Sequence, residues 1–412
     1  MNKIYAIKNI HTAGLCILCL IASSLIIAFP QESFQAAISG LDTWLKIVLP
    51  ALFPFFVAAE VIIGIGVVDF IAILLQPVMY PIFRCPGESS FIWTMSITSG
   101  YPVGARLTWY FWDKGKITSK EAQRIIAFCS TSGPLFMLSA VGIGLLNSSK
   151  AGMIIAMSHY TASIILGIIF RFYSPDNNKK SFRTAHRFPN IKAAYQALIS
   201  ARHKDSRTFG EILSDAIRNS MNTLIYIGGY IILFSVIIKI FIKTGFINAL
   251  SNLMSPLLLP LGIEQSLLNG LIGGIFEMTT GCKIIAQSTA PLFHKILLCT
   301  FIISWSGFSI HSQVLSFISK TGISVFLYIA AKFFHGIIAT AVAWVIIKIQ
   351  PHADLFVFHQ FYQQPKTAWS STLWNAWQLA FYSILILLVT GILFSLVTYL
   401  ISFSAKNKRT LS

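Results

Sequence analysis

Apolar runs follow one another along this chain with almost no charge between them, and a lipid bilayer is the solvent that suits such a pattern. The runs cover residues 13–30, 44–65, 67–83, 91–112, 125–146, 151–173, 221–242, 267–290, 296–318, 323–349 and 373–403. A spanning helix needs about 20 apolar residues, so several runs qualify and several are too interrupted to be simple spans. Only 11% of the 412 residues are charged and the mean hydropathy is +0.71, whereas soluble domains carry about 25% charged residues. The fold class is therefore all-α, a polytopic membrane protein. The first run follows Lys3 and Lys8 as a signal peptide would. It lacks a small-x-small cleavage site and leads into further membrane segments, so it is read as a retained helix.

Charge sets the orientation. Between Arg171 and Arg218 lie ten basic residues against four acids, and Lys3, Lys8, Lys406, Lys408 and Arg409 add five more at the ends. Basic residues collect on loops that stay in the cytoplasm, so these three segments, with both termini, are placed there. The net charge of +17 is explained this way without nucleic acid. Residues 31–43 hold Glu32 and Asp42 with no Lys or Arg, and 350–371 are nearly neutral; both are placed outside. Each half then crosses an odd number of times from opposite sides, which makes related halves inverted repeats. Three landmarks recur in order: Gln76–Pro81 with Ser255–Pro260, Thr98–Pro102 with Thr279–Lys283, and Ser130–Pro134 with Ser304–Phe308.

The functional signal lies in hydroxyl–glycine clusters inside apolar segments, around Gly100, Gly133, Gly281 and Gly307. Unpaired backbone groups in lipid cost several kcal/mol each, so such breaks persist only where protein or a watery cavity surrounds them. In transporters they mark re-entrant or broken helices near mid-membrane, whose N-termini favour anions; close helix packing is the plainer explanation. Ser99, Gly100, Ser132, Gly133, Thr280, Gly281, Ser306 and Gly307 are the expected backbone and hydroxyl donors. Arg106, Lys283 and His311, with Gln313 beside it, would offset ligand charge. Glu277 would couple a proton or pair with Lys283, and Glu60, in a run without a nearby cation, would relay a proton or partner Arg106. Asp69 is expected to cap a helix, and Thr118–Glu121 reads as a capping box. His159 and His335 each stand alone in an apolar run and read as core residues. Residues 191–202 and 209–218 read as amphipathic helices on anionic lipid, and Trp369, Trp374 and Trp377 as an interfacial belt.

Catalytic signatures are missing. No zinc, P-loop or dinucleotide motif occurs, and the six cysteines give neither a metal set nor a disulfide framework. Ser306 with His311, or Ser132 with His159, could form an intramembrane hydrolase, but neither lies in a nucleophile-elbow motif. The expectation is no enzyme, no cofactor and no metal.

Residues 45–56 (LKIVLPALFPFF), 99–106 (SGYPVGAR), 132–136 (SGPLF), 276–283 (FEMTTGCK) and 306–313 (SGFSIHSQ) together resemble the YlbJ family of sporulation integral membrane proteins over roughly residues 40–350. The resemblance implies paired nucleoside-recognition (gate) domains, similar in architecture to concentrative nucleoside transporters. It also implies a place in the outer membrane around the forespore, passing dipicolinate toward the spore. Domains follow as a helix and external loop (1–43), a first gate-like repeat (44–173), a basic cytoplasmic loop (174–218), a second repeat (219–349), and an external loop, last helix and tail (350–412). The reading is a transporter of a small organic anion in lipid, compatible with a homo-oligomer. The alternatives are a nucleoside carrier, a non-transporting assembly protein and the hydrolase.

Overall fold

The computed structural model describes residues 2–134, 136–174, 191–261, 263–319 and 321–349. The expectations for 350–412, including the tryptophan belt and the last span, lie outside these residues, as does 175–190.

Among the described residues every regular element is helical. The first is α1 (Asn2–Ala28), then α2 (Pro30–Thr43), a π-wound turn (Trp44–Val48) and α3 (Leu49–Gly64). Residues 31–43, expected as an external loop, are helix instead. Pro30 starts α2 where its missing N–H costs nothing, and the backbone stays right-handed through Trp44 and Val48.

The rod from Pro30 to Gly64 runs antiparallel to α11 (Phe209–Lys243). Glu32 meets Lys243 at 2.7 Å, Trp44 Nε1 donates to the Leu224 carbonyl at 2.9 Å, and Asn219 donates to Glu60 at 3.2 Å. At 35 residues, α11 is about 52 Å long and overshoots the roughly 30 Å hydrocarbon core. Its start, 209–218, is the first part of this long helix rather than a separate surface helix. The Thr208–Glu211 capping box begins it.

After α3 the chain turns at Gly66, whose φ of 84° favours glycine, into α4 (Val67–Phe83), bent by 87° from α3. Then come α5 (Glu88–Ser99), α6 (Tyr101–Asp113), α7 (Ser119–Cys129), the π-wound α8 (Phe136–Leu145) and α9 (Ser149–Phe170). The Thr118–Glu121 capping box starts α7 as expected. Asp69, expected as a cap, pairs with Lys116 at 2.5 Å in the first turn of α4. Helix α10 (Ile191–Lys204) packs on α4 and buries Ala194.

A similar order follows in the second half. From α11 the chain turns at Gly245, again left-handed, into α12 (Phe246–Leu258), then α13 (Gln265–Phe276), α14 (Met278–Gln287), α15 (Leu292–Trp305), α16 (Gly307–Ile318) and α17 (Val325–Ile349). Four described helices or helix pairs are long and apolar enough to cross a bilayer: α9, α11, α15 with α16, and α17. The bent α3–α4 pair makes a fifth if counted as one span.

Candidate functional site

Four breaks interrupt the helices: at Gly100, at Ser130–Gly133, at Glu277 and at Ser306. Three fall where the glycine clusters put them. The remaining one does not: Gly281 lies inside α14, and a Cβ there would collide with the backbone of Gly274 on α13. Gly281 is thus a close-packing residue, which the glycine pattern alone cannot distinguish from a breaker. The chain leaves its helix at Glu277, which is extended at φ −146°. The Glu277 carboxylate accepts from the N–H groups of Thr279 at 2.9 Å and Thr280 at 2.7 Å, so this helix start is closed by its own cap. Lys283 is exposed on α14, and among the described residues it forms no ion pair with Glu277.

The breaks converge. A Cβ on Gly100 would sit 3.6 Å from the Gly133 nitrogen, and one on Gly307 3.2 Å from Glu277 Cα. The two halves are stitched together across them by the Tyr101 hydroxyl, which donates to the Ile303 carbonyl; within the second half Trp305 Nε1 donates to the Ile275 carbonyl at 3.2 Å. Helices α6 and α16 begin here with no side-chain cap and pack against each other.

Behind the breaks lies a polar cluster on α9 and α17. His159 and His335, read from the sequence as isolated, lie with ring centroids 4.5 Å apart and planes tilted by 32°. His159 Nε2 accepts from the Ser132 N–H at 3.0 Å, which leaves Nδ1 protonated to donate to Ser304 Oγ at 2.8 Å. His335 Nε2 donates to the His159 carbonyl at 2.9 Å, leaving its Nδ1 to accept from Lys332 at 3.1 Å. Lys332 also donates to the Ser130 carbonyl at 2.8 Å and lies 5.0 Å over the Tyr101 ring. It is 0% exposed, and none of the ion pairs among the described residues includes it.

His311 is buried, its Nδ1 3.2 Å from the Tyr328 hydroxyl. His311 Nε2 and Gln313 Oε1 are buried without a partner. The Ser306 and Ser130 hydroxyls face the phenols of Tyr101 and Tyr328 without a hydrogen bond of good geometry. Ser99 and Ser132 are buried, and the Ser132 carbonyl accepts from the Tyr160 hydroxyl at 2.9 Å. The centre thus holds a buried lysine, several donors and no carboxylate among the residues that touch Lys332. An ionisable residue inside an apolar run is itself a sequence signal, and Lys332 carries it. No glycine break marks α17 at that position, so a search for breaks does not find it.

Arg106 and Glu60 lie apart from this cluster. They pair at 2.7 Å, with Arg106 also 6.0 Å from the Phe56 ring. Glu60 lines a pocket of about 290 Å³ with Tyr110, Lys114, Arg207, Asp215 and Asn219. At this mouth Arg207 binds Asp205 at 2.6 Å and Asp215 at 2.8 Å, and its hydrogen bonds hold the Asp205 carboxyl down to about 2.

Comparison with known proteins adds two findings. Residues 45–176 match the family profile Gate: Nucleoside recognition. The sporulation integral membrane protein YlbJ of Bacillus subtilis (strain 168) is 33% identical over 343 residues, 83% of this chain and 84% of that protein.

Proposed function

The chain belongs to the family of the sporulation integral membrane protein YlbJ, and on that premise we propose that it is a carrier of small organic anions, dipicolinate first among them, across the outer forespore membrane. The observation that carries this reading is Lys332, fully buried with no carboxylate partner where helix breaks from both halves meet. A buried ammonium without a counter-charge is costly, so the charged form of this lysine is completed by an anion. The uncapped starts of α6 and α16 add partial positive charge of the right sign. Dipicolinate, a planar aromatic dianion, matches the charge, and aromatic rings stand close by, with Tyr101 beside Lys332 and Trp305 and Tyr328 beside His311. Helices α9 and α17 supply a scaffold, and the basic segment 191–218 and both termini are read as cytoplasmic.

The network favours carriage over hydrolysis. Ser304 comes within 2.8 Å of His159, but the Ser132 N–H occupies Nε2, so the ring donates to Ser304 and cannot act as its base. The description of the gate profile favours a second reading, a neutral nucleoside held by the same donors.

Uptake of labelled dipicolinate into proteoliposomes, with uridine in parallel, separates the two. Saturable dipicolinate uptake that is lost in Lys332→Gln supports the anion carrier. Uridine uptake alone would replace it by the nucleoside reading, and uptake of neither would sink both.

A further inference from the structure

Lys332 has two acceptors, the Ser130 carbonyl at 2.8 Å and His335 Nδ1 at 3.1 Å. That is the number a neutral amine can satisfy, whereas an ammonium has three protons to place. The remaining side faces the Tyr101 ring, 5.0 Å away, which offsets only a small part of the cost of a buried charge.

The titratable groups nearest to it are His335 and Tyr328 on its own helix, His159 and Tyr160 on α9, Tyr101 on α6 and His311 on α16. None is a carboxyl. Helix α7 meets the start of α17 through Gln123 and the Ser324 N–H; its charged residues include Glu121, which caps α7 at Thr118, and Arg124, bonded to the carbonyls of Tyr173 and Ser174. Helix α15 carries His294 and Lys295 in its first turn, with Lys295 tied to the carbonyls of Ala286 and Ser288. Cys299 on α15 is buried.

We propose that Lys332 is the proton-carrying group of the carrier, neutral when the site is empty and protonated as the anion enters, so that each anion crosses with one proton. This rests on the anion-carrier reading. The step is a simple protonation: the amine lone pair takes a proton from water on one side to give an ammonium and the carboxylate pairs with it; on the other side the anion departs and the ammonium returns its proton to water, which restores the neutral amine. It needs no acidic side chain, which fits a centre that brings none to Lys332. Neither Glu277, which caps α14, nor Glu60, which pairs with Arg106, is required for it.

The test is calorimetric binding of dipicolinate to the full-length protein in nanodiscs, in buffers of differing ionisation enthalpy at about pH 7.5, where an ordinary lysine is already protonated. The expected result is uptake of about one proton per anion bound by the wild type, and none by Lys332→Arg, whose charge is fixed. Binding without proton uptake overturns this inference and leaves the carrier reading standing. Uptake that persists in Lys332→Arg also overturns it, moving the proton to a histidine. Absence of any saturable binding or transport of dipicolinate removes the parent reading and this inference with it. A readout free of variants is accumulation in wild-type proteoliposomes at clamped membrane potential. An inward proton gradient is expected to drive dipicolinate above equilibrium, and indifference to the gradient overturns the proposal.

Discussion

His159 holds three groups at once: the Ser132 N–H, the Ser304 hydroxyl and, through its carbonyl, His335. Replacing it by leucine leaves the first two buried without a partner, at about 1–3 kcal/mol for each group left unsatisfied. His159→Leu is therefore expected to lower the thermal midpoint clearly, measured by fluorescence-detected size exclusion, while His159→Gln recovers part of the loss. Lys283 provides the contrast. It is exposed and makes no ion pair among the described residues, so Lys283→Ala is expected to change dipicolinate uptake by no more than about twofold, the effect usual for a surface site; loss of uptake would return it to the site. Both residues show how far single positions can be read from sequence. Hydroxyls and glycines beside Gly100, Gly133 and Gly307 were legible because breaking a helix in lipid has few explanations. The importance of His159 was not, because its partner Ser304 comes from α15, 145 positions away, and no local spacing reports that contact.

At the level of the helices, the third break shows what patterning can and cannot place. Gly281 marks the tight crossing of α13 and α14, while the break itself is made four residues earlier by an acid that caps the following helix. Glu277→Ala is expected to cost about 0.5–2 kcal/mol, the usual value of an N-cap. Glu277→Asp is expected to restore most of it, with both read from thermal unfolding; an equal loss in both variants would point to another role. Gly281→Ala is expected to destabilise by about 1–3 kcal/mol through overpacking. The approach to α11 depends on pH by a calculable sign. The carboxyl of Asp205 is held down to about 2, first by its hydrogen bonds to the Arg207 guanidinium. A depressed carboxyl stabilises above its ordinary value near pH 4, and that stabilisation is lost as pH falls toward 2. Amide exchange across the turn at Asp205–Thr208 is therefore expected to gain protection factors with rising pH across that window. In Arg207→Ala, which removes the main cause, the dependence should flatten.

Across the whole molecule, contacts between the halves occur in exchangeable pairs. Helix α6 packs on α16 as α14 packs on α8, and α7 meets α17 as α15 meets α9, while α9–α17 and α3–α11 pair each element with its own counterpart. The end of α9 and the start of α17 both reach the same part of α7: Arg124 binds the carbonyls of Tyr173 and Ser174, and Gln123 accepts from the Ser324 N–H at 2.6 Å. Helices α9 and α17 thus run in opposite directions, which an inverted duplication requires and a parallel one forbids, and we propose that the halves are inverted repeats. The turn after α6 sits beside the basic mouth, where Lys114 and Arg207 line one pocket. Its counterpart after α14, around Ser288 and Thr289, should then face the opposite side of the membrane. The check is to replace the exposed Cys16 and Cys19 by serine, introduce Asp113→Cys or Thr289→Cys, and label with a membrane-impermeant maleimide from each side. The thiol in Asp113→Cys is expected to react from the cytoplasmic face and that in Thr289→Cys from the other. Labelling of both from one face would mean that the halves are not inverted. The site at their junction could then not alternate between two sides by exchanging the roles of equivalent hairpins.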